Sequence, residues 1–115
     1  METTPRFLNG VYRFDGKGLE APYPLAEELT YTVPPDRRAQ LVYLRAGNSS
    51  DALISLALMR DGKPMRLFPI GAKSAMHVPL AVVEDIFPET KIEVFVAAPQ
   101  GASGHVVLDV GLMEI

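Results

Sequence analysis

Apolar and polar residues alternate with a period of two along most of this chain, and the alternation stops at clusters of glycine, proline, asparagine and aspartate. That pattern predicts short antiparallel strands joined by turns. The stretch from Arg38 to Ile70 holds three apolar runs and two compact breaks, and it reads as three consecutive antiparallel strands. Asp61-Gly62 between two apolar runs supplies the positive φ angles that a tight hairpin with the right twist needs. Gly47-Asn48-Ser49-Ser50-Asp51 makes a longer connection. In the first run Ala39, Leu41 and Tyr43 share one face and Gln40, Val42 and Leu44 the other. Both faces are partly apolar, so the alternation does not choose an inner side.

Elsewhere the same reading predicts a first strand over Phe7–Phe14, interrupted at Asn9-Gly10, and another over residues 27–33 that ends at Pro34-Pro35. Ala21-Pro22-Tyr23-Pro24 is a surface crossing, because each proline biases its predecessor toward extended geometry. Leu53–Met59 is a strand leading into the Asp-Gly turn. Met65–Phe68, flanked by Pro64 and Pro69, is a short strand near a sheet edge. Ser74–Val78 forms a further short strand, and Leu80–Phe87 carries apolar residues at helical spacing. Two strands close the chain. In one, Ile92, Val94 and Val96 face inward; in the other, Val106, Leu108, Val110 and Leu112 do, and the two are expected to form a hairpin. The expected fold is all-β: a single antiparallel β-sandwich or jelly-roll-like domain of seven to eight short strands over residues 1–115.

Composition narrows the function classes. Among 115 residues 48% are hydrophobic and 22% charged, ordinary for a folded domain, and cysteine is absent, which removes disulfides, thiolate metal sites and cysteine nucleophiles. The net charge of −3 is spread unevenly: residues 39–70 carry four bases and two acids, residues 71–115 two bases and six acids. No concentrated basic face results, so nucleic acid is not an expected partner. No apolar run approaches ~18 residues, and the first residues lack the charged start and apolar stretch of an export signal, so the expectation is a cytoplasmic protein without a membrane span.

The candidate chemistries are thin. A cupin-like metalloenzyme needs several histidines and a carboxylate, and only His77 and His105 exist, 28 residues apart. Met59, Met65, Met76 and Met113 suit Cu(I) as ligands but are scattered through apolar strands, where core filling explains them. Ser103, His105 and Asp109 share parity on the last strand, yet His105 and Asp109 would lie about 13 Å apart, too far for a catalytic triad. The glycine clusters at 16–18 and 101–104 lack the spacing of a phosphate loop and read as turns. Glu93 and Asp109 would face each other in one register of a C-terminal hairpin, a weak Ca²⁺ arrangement. Asn48-Ser49-Ser50 matches a glycosylation acceptor and reads instead as loop chemistry.

With no catalytic constellation and no cofactor expected, the leading reading is a non-catalytic protein acting by association, as a homo-oligomer or a small accessory subunit of a larger complex. Its contact surface is placed on the outward face of the last two strands, with Phe95 and Val107 as apolar contacts ringed by Glu93, His105 and Asp109. The competing cover for that face is the N-terminal segment around Phe7–Phe14. The alternative function is a carbohydrate-binding module stacking sugars on Tyr12, Tyr23, Tyr31 and Tyr43, an analogy at the level of fold. One expectation concerns stability alone. Gly62→Val should cost about 1–3 kcal/mol through backbone strain, read from denaturant unfolding, and an unchanged midpoint would mean that no tight turn exists there.

Overall fold

The computed structural model describes residues 2–80 and 84–115. Its strands are β1 (Thr4–Asp15), β2 (Tyr23–Pro24), β3 (Thr30–Thr32), β4 (Ala39–Asn48), β5 (Ile54–Arg60), β6 (Lys63–Ile70), β7 (Ala75–Pro79), β8 (Asp85–Ile86), β9 (Lys91–Ala97) and β10 (Ser103–Glu114). One antiparallel sheet runs β1-β10-β4-β7, with β8 also on β4; the other runs β2-β9-β5-β6, with β3 also on β9. Paired short strands share an edge lane in each sheet, so both sheets are four lanes wide. Among the described strands only β5 and β6 are consecutive hydrogen-bonded neighbours, and every other connection within this pattern crosses between sheets or continues an edge. That winding is a jelly roll, as the strand spacing predicts.

The core lies between the sheets and is built from the alternating residues of both. Leu56, Leu58, Val94 and Val96 from the second sheet meet Leu44, Val106, Leu108 and Val110 from the first, all essentially without solvent exposure. The ambiguity in β4 has a physical origin. Its register against β10 shifts between Gly111 and Leu112, so Val42 is an extra bulged residue and the parity of the strand changes there. Ala39 and Leu41 point inward before the bulge, and Leu44 and Ala46 after it.

Asp61 and Gly62 adopt φ 47° and 80°, the two positive angles of the expected two-residue turn, and Arg60 pairs with Lys63 across it. Asp61 also anchors the turn to β9: its carboxylate accepts from the Lys91 amide at 2.8 Å.

Several expectations need correction. β4 and β5 do not pair, because β4 has β10 on one side and β7 and β8 on the other. The Gly47–Asp51 segment therefore carries the chain to the opposite sheet. Asn48, almost fully buried, fastens that crossing. Its amide nitrogen donates to the carbonyls of Ala52 at 2.9 Å and Gly71 at 3.0 Å, and its oxygen accepts from the Ser50 amide at 2.9 Å. Both ends of the side chain are spent on the loop, as loop chemistry requires. β9 and β10 likewise belong to different sheets, so the C-terminal hairpin does not form. Gly16 packs against the loop between them so closely that a Cβ there would meet the Pro99 carbonyl oxygen.

The first strand runs unbroken through Asn9-Gly10. Gly10 takes φ 147°, and the Tyr12 ring folds back into the space its missing side chain leaves. Residues 27–33 contain only the three-residue β3, because Leu29 and Val33 turn inward as plugs at the sandwich edge. Tyr23-Pro24, expected as a crossing, adds two residues to the edge of β9. β6 is an edge strand as expected but spans eight residues, taking both prolines into the strand. Of the helical turn expected over Leu80–Phe87, residues 81–83 lie outside the described residues, and Asp85-Ile86 is strand. No helix among the described residues is long and apolar enough to cross a membrane.

One polar cluster ties the two sheets together at an end of the sandwich. Glu114 of β10 is 3% exposed. It accepts from Arg6 Nε of β1 at 3.1 Å and from the Tyr31 hydroxyl of β3, on the other sheet, at 2.6 Å. These bonds to Arg6 and Tyr31 hold the Glu114 carboxyl below the usual carboxylate range against the opposing effect of burial. Burial, reinforced by the bond to Glu114, pushes the Tyr31 hydroxyl up.

A carboxyl whose folded pKa is depressed stabilises the fold above its unfolded value and loses that contribution as pH falls through the folded value. Melting temperature should therefore drop as pH falls below about 4.3, the ordinary glutamate value. Glu114→Gln should flatten that drop while lowering stability at neutral pH. Parallel melting curves for wild type and variant across this window would contradict the role given to Glu114.

Candidate functional site

The alternation of β10 that buries Val106, Leu108 and Val110 also forces Val107, Asp109 and Gly111 onto the outer face of the first sheet. Registers across the sheet sort that face into rows. Val11, Val107, Gly47 and Ala75 are cross-strand neighbours and form an apolar row over four strands. Asn9, Asp109, Arg45 and His77 form a polar row beside it, and Phe7, Gly111, Tyr43 and Pro79 another mostly apolar one. The valines stand out, with Val11 63% and Val107 57% exposed, and Phe7 is 55% exposed. Between them and β7 a shallow groove of about 650 Å³ runs over Gly47, bordered by Val107, Asp109, Arg45, Ala75 and His77.

Tyr43 organises the middle of this face. Its ring lies across Gly111, where any Cβ would fall within 2.1 Å of the ring. Its hydroxyl donates to Asp109 Oδ1 at 3.1 Å, and Arg45 sits 5.2 Å from the ring centroid in a cation–π contact. His77 meets the ring edge-on at 6.1 Å between centroids. Burial first, and then the bond to Asp109, raises the Tyr43 hydroxyl above the ordinary tyrosine value. It is a donor held in place, not a base. Arg45 has no carboxylate within ion-pair distance among the described residues, although Asp109 is its cross-strand neighbour.

The five residues expected to share one surface divide between two. Val107, His105 and Asp109 lie on this outer face, whereas Phe95 and Glu93 point outward from β9 in the other sheet. Phe95 there forms a row with Ala57, Leu67 and Pro24, and is half-buried by it. Glu93 lies opposite Met59 and Thr30, with its carboxylate 3.6 Å from Lys91 Nζ. Glu93 and Asp109 thus never face one another, and the arrangement suggested for Ca²⁺ does not exist. The N-terminal segment does not fold over Val107 either. As β1 it extends the same sheet and adds Val11 and Phe7 to the exposed face. The strand parity of β10 was legible in the sequence; the pairing that put β1 beside it and β9 elsewhere was not.

The other chemistries find no support in the geometry. His77 and His105 sit two lanes and four residues apart, about 16 Å. No three His, Asp or Glu side chains among the described residues are grouped to hold a metal ion. The methionines separate: Met59 lies on the outer side of β5 opposite Glu93, yet is buried there, and Met65 and Met76 pack against the core from different sheets. Each tyrosine is engaged in its own place. Tyr12 donates to the Asn9 carbonyl, Tyr23 to that of Asp15, Tyr31 to Glu114 and Tyr43 to Asp109, so no shared stacking platform forms.

No family model and no curated protein matches the chain. Among solved structures, the infectious bursal disease virus VP2 subviral particle is similar in chain course, with a TM-score of 0.47 and 11% sequence identity, over 98% of this chain and 32% of that one. The chain thus spans about a third of the length of that protein.

The Tyr43–Gly111 contact is open to a double-mutant test. Gly111→Ala should cost about 1–3 kcal/mol, because its methyl displaces the ring, and clearly less in a Tyr43→Ala background. Additive effects in denaturant unfolding would show that the ring does not occupy that space.

Proposed function

We propose that this protein works by association, as a homo-oligomer or small accessory subunit of a larger complex, and that it is not an enzyme. The observation that carries the reading is the uncovered apolar row Val11–Val107–Gly47–Ala75 on the outer face of the first sheet. Large side chains at two neighbouring positions and small ones at the next two make a relief of knobs and a hollow, which a packed partner fills better than water does. Arg45 and Asp109 beside that row supply opposite charges for orienting a partner. The contact surface retains Val107, His105 and Asp109 from the sequence reading, gains Val11 and Phe7, and leaves out Phe95 and Glu93. With the tyrosines dispersed, no observation favours the carbohydrate-binding alternative.

A charge in a desolvated contact breaks association yet is tolerated where the side chain faces solvent. Val107→Glu should therefore abolish association of the purified chain in light scattering, and co-isolation of any stable partner, while its melting temperature stays within a few degrees of wild type. Phe95→Glu, on the opposite face, should leave association intact in any fraction that folds. Association that survives Val107→Glu would contradict the reading.

A further inference from the structure

The pattern of this face is complementary to itself in one orientation. If two copies pack their first sheets face to face about a two-fold axis running along the strands, between β4 and β10, each row meets its own reverse. β10 then faces β4 of the second copy, and β1 faces its β7. Arg45 lies over Asp109 of the other copy and Asp109 over its Arg45. Val107 enters the hollow above Gly47, Val11 covers Ala75, and Phe7 meets Pro79. A two-fold axis running across the strands through the polar row instead sets Arg45 on Arg45 and Asp109 on Asp109, a like-charge arrangement that costs association.

From this match we infer that the occupant of the outer face is a second copy of this chain, joined in an isologous dimer by the Arg45–Asp109 exchange and the Val107–Gly47 fit. The inference rests on the association reading above and specifies its partner. Two further points bear on it. Among the described residues Arg45 has no ion-pair partner, and Asp109 makes its one side-chain hydrogen bond through Oδ1, to Tyr43. Each therefore has capacity left for the other copy. The footprint is four lanes by eight or so residues, roughly 500 Å² per copy and about 1,000 Å² together, at the lower bound for a specific interface. An interface of that size suits a weak, reversible dimer.

The test is sedimentation equilibrium on wild type, Arg45→Asp, Asp109→Arg and an equimolar mixture of the two variants. Wild type should dimerise, and each variant alone should dimerise at least about tenfold more weakly, because its two exchanged pairs become like-charged. In the mixture both pairs are of opposite sign again, and a heterodimer should recover to within about threefold of wild type. Folding damage alone does not produce that recovery. Should either charge variant fail to fold, Val11→Glu, which alters an exposed residue facing Ala75 of the other copy, should give a folded monomer. A wild type that stays monomeric at the highest attainable concentration would overturn the inference, as would a mixture no tighter than its components or a dimeric Val11→Glu. If Val107→Glu abolishes association while Arg45→Asp and Asp109→Arg, each alone, dimerise as tightly as wild type, the face is right and the two-fold is wrong. If Val107→Glu changes nothing, the face itself is wrong.

Discussion

The alternation of β10 constrains the rest of the structure. Val106, Leu108, Val110 and Leu112 all belong to one face of the strand, and burying them fixes which way it is turned. A slip of one residue would bring Val107, Asp109 and Gly111 into the core and expose four large aliphatic side chains, so the register is strongly held. Because β10 is central in its sheet, it imposes its orientation on both neighbours. β1 is pinned along its whole length, and β4 follows until the bulge at Val42 lets its own apolar pattern fit. The outer face is thus a consequence of the core: once the inner residues are placed, Val11, Val107, Arg45 and Asp109 have nowhere else to point.

Strand positions were legible in the sequence because period-two alternation and turn residues act locally. The Asp61-Gly62 turn, the inward sets of β9 and β10, and the edge position of β6 all follow from residues within a few positions of each other. Strand pairing was not legible, because it depends on contacts far apart along the chain. The two expected hairpins that failed, β4 with β5 and β9 with β10, are joined by short polar loops that look in sequence like any hairpin connection. What distinguishes them is tertiary: Asn48 spends its side chain on carbonyls of the β5 approach and of the segment after β6, and Gly16 leaves room for the backbone at Pro99. The proposed contact surface suffered from the same gap. Parity correctly turned Val107 and Asp109 outward, but the residues that complete the face come from β1, β4 and β7.

The physics of that face balances two tendencies. Its valines and Phe7 favour removal from water, yet the area is small and the polar row through the middle must be matched for burial to be favourable. A hydrophobic partner of arbitrary shape would strand Arg45 and Asp109 without partners. One that presents an opposite charge to each, beside a hollow and a knob, satisfies both demands, and the chain itself is such a surface. β1 is also less suited to association through its free edge than its length suggests. Pro5, Arg6 and Arg13 lie along it, features that discourage edge-to-edge pairing.

The most direct measurement is the methyl and amide NMR spectrum of the wild-type chain over a dilution series from millimolar to low micromolar concentration. Concentration-dependent shifts should be confined to the outer face of the first sheet, with the Val11 and Val107 methyls and the Gly47 and Ala75 amides moving together along one binding curve. Phe95, Leu67 and their neighbours on the second sheet should not move. Shifts centred on Phe95, or none at any concentration, would contradict the account.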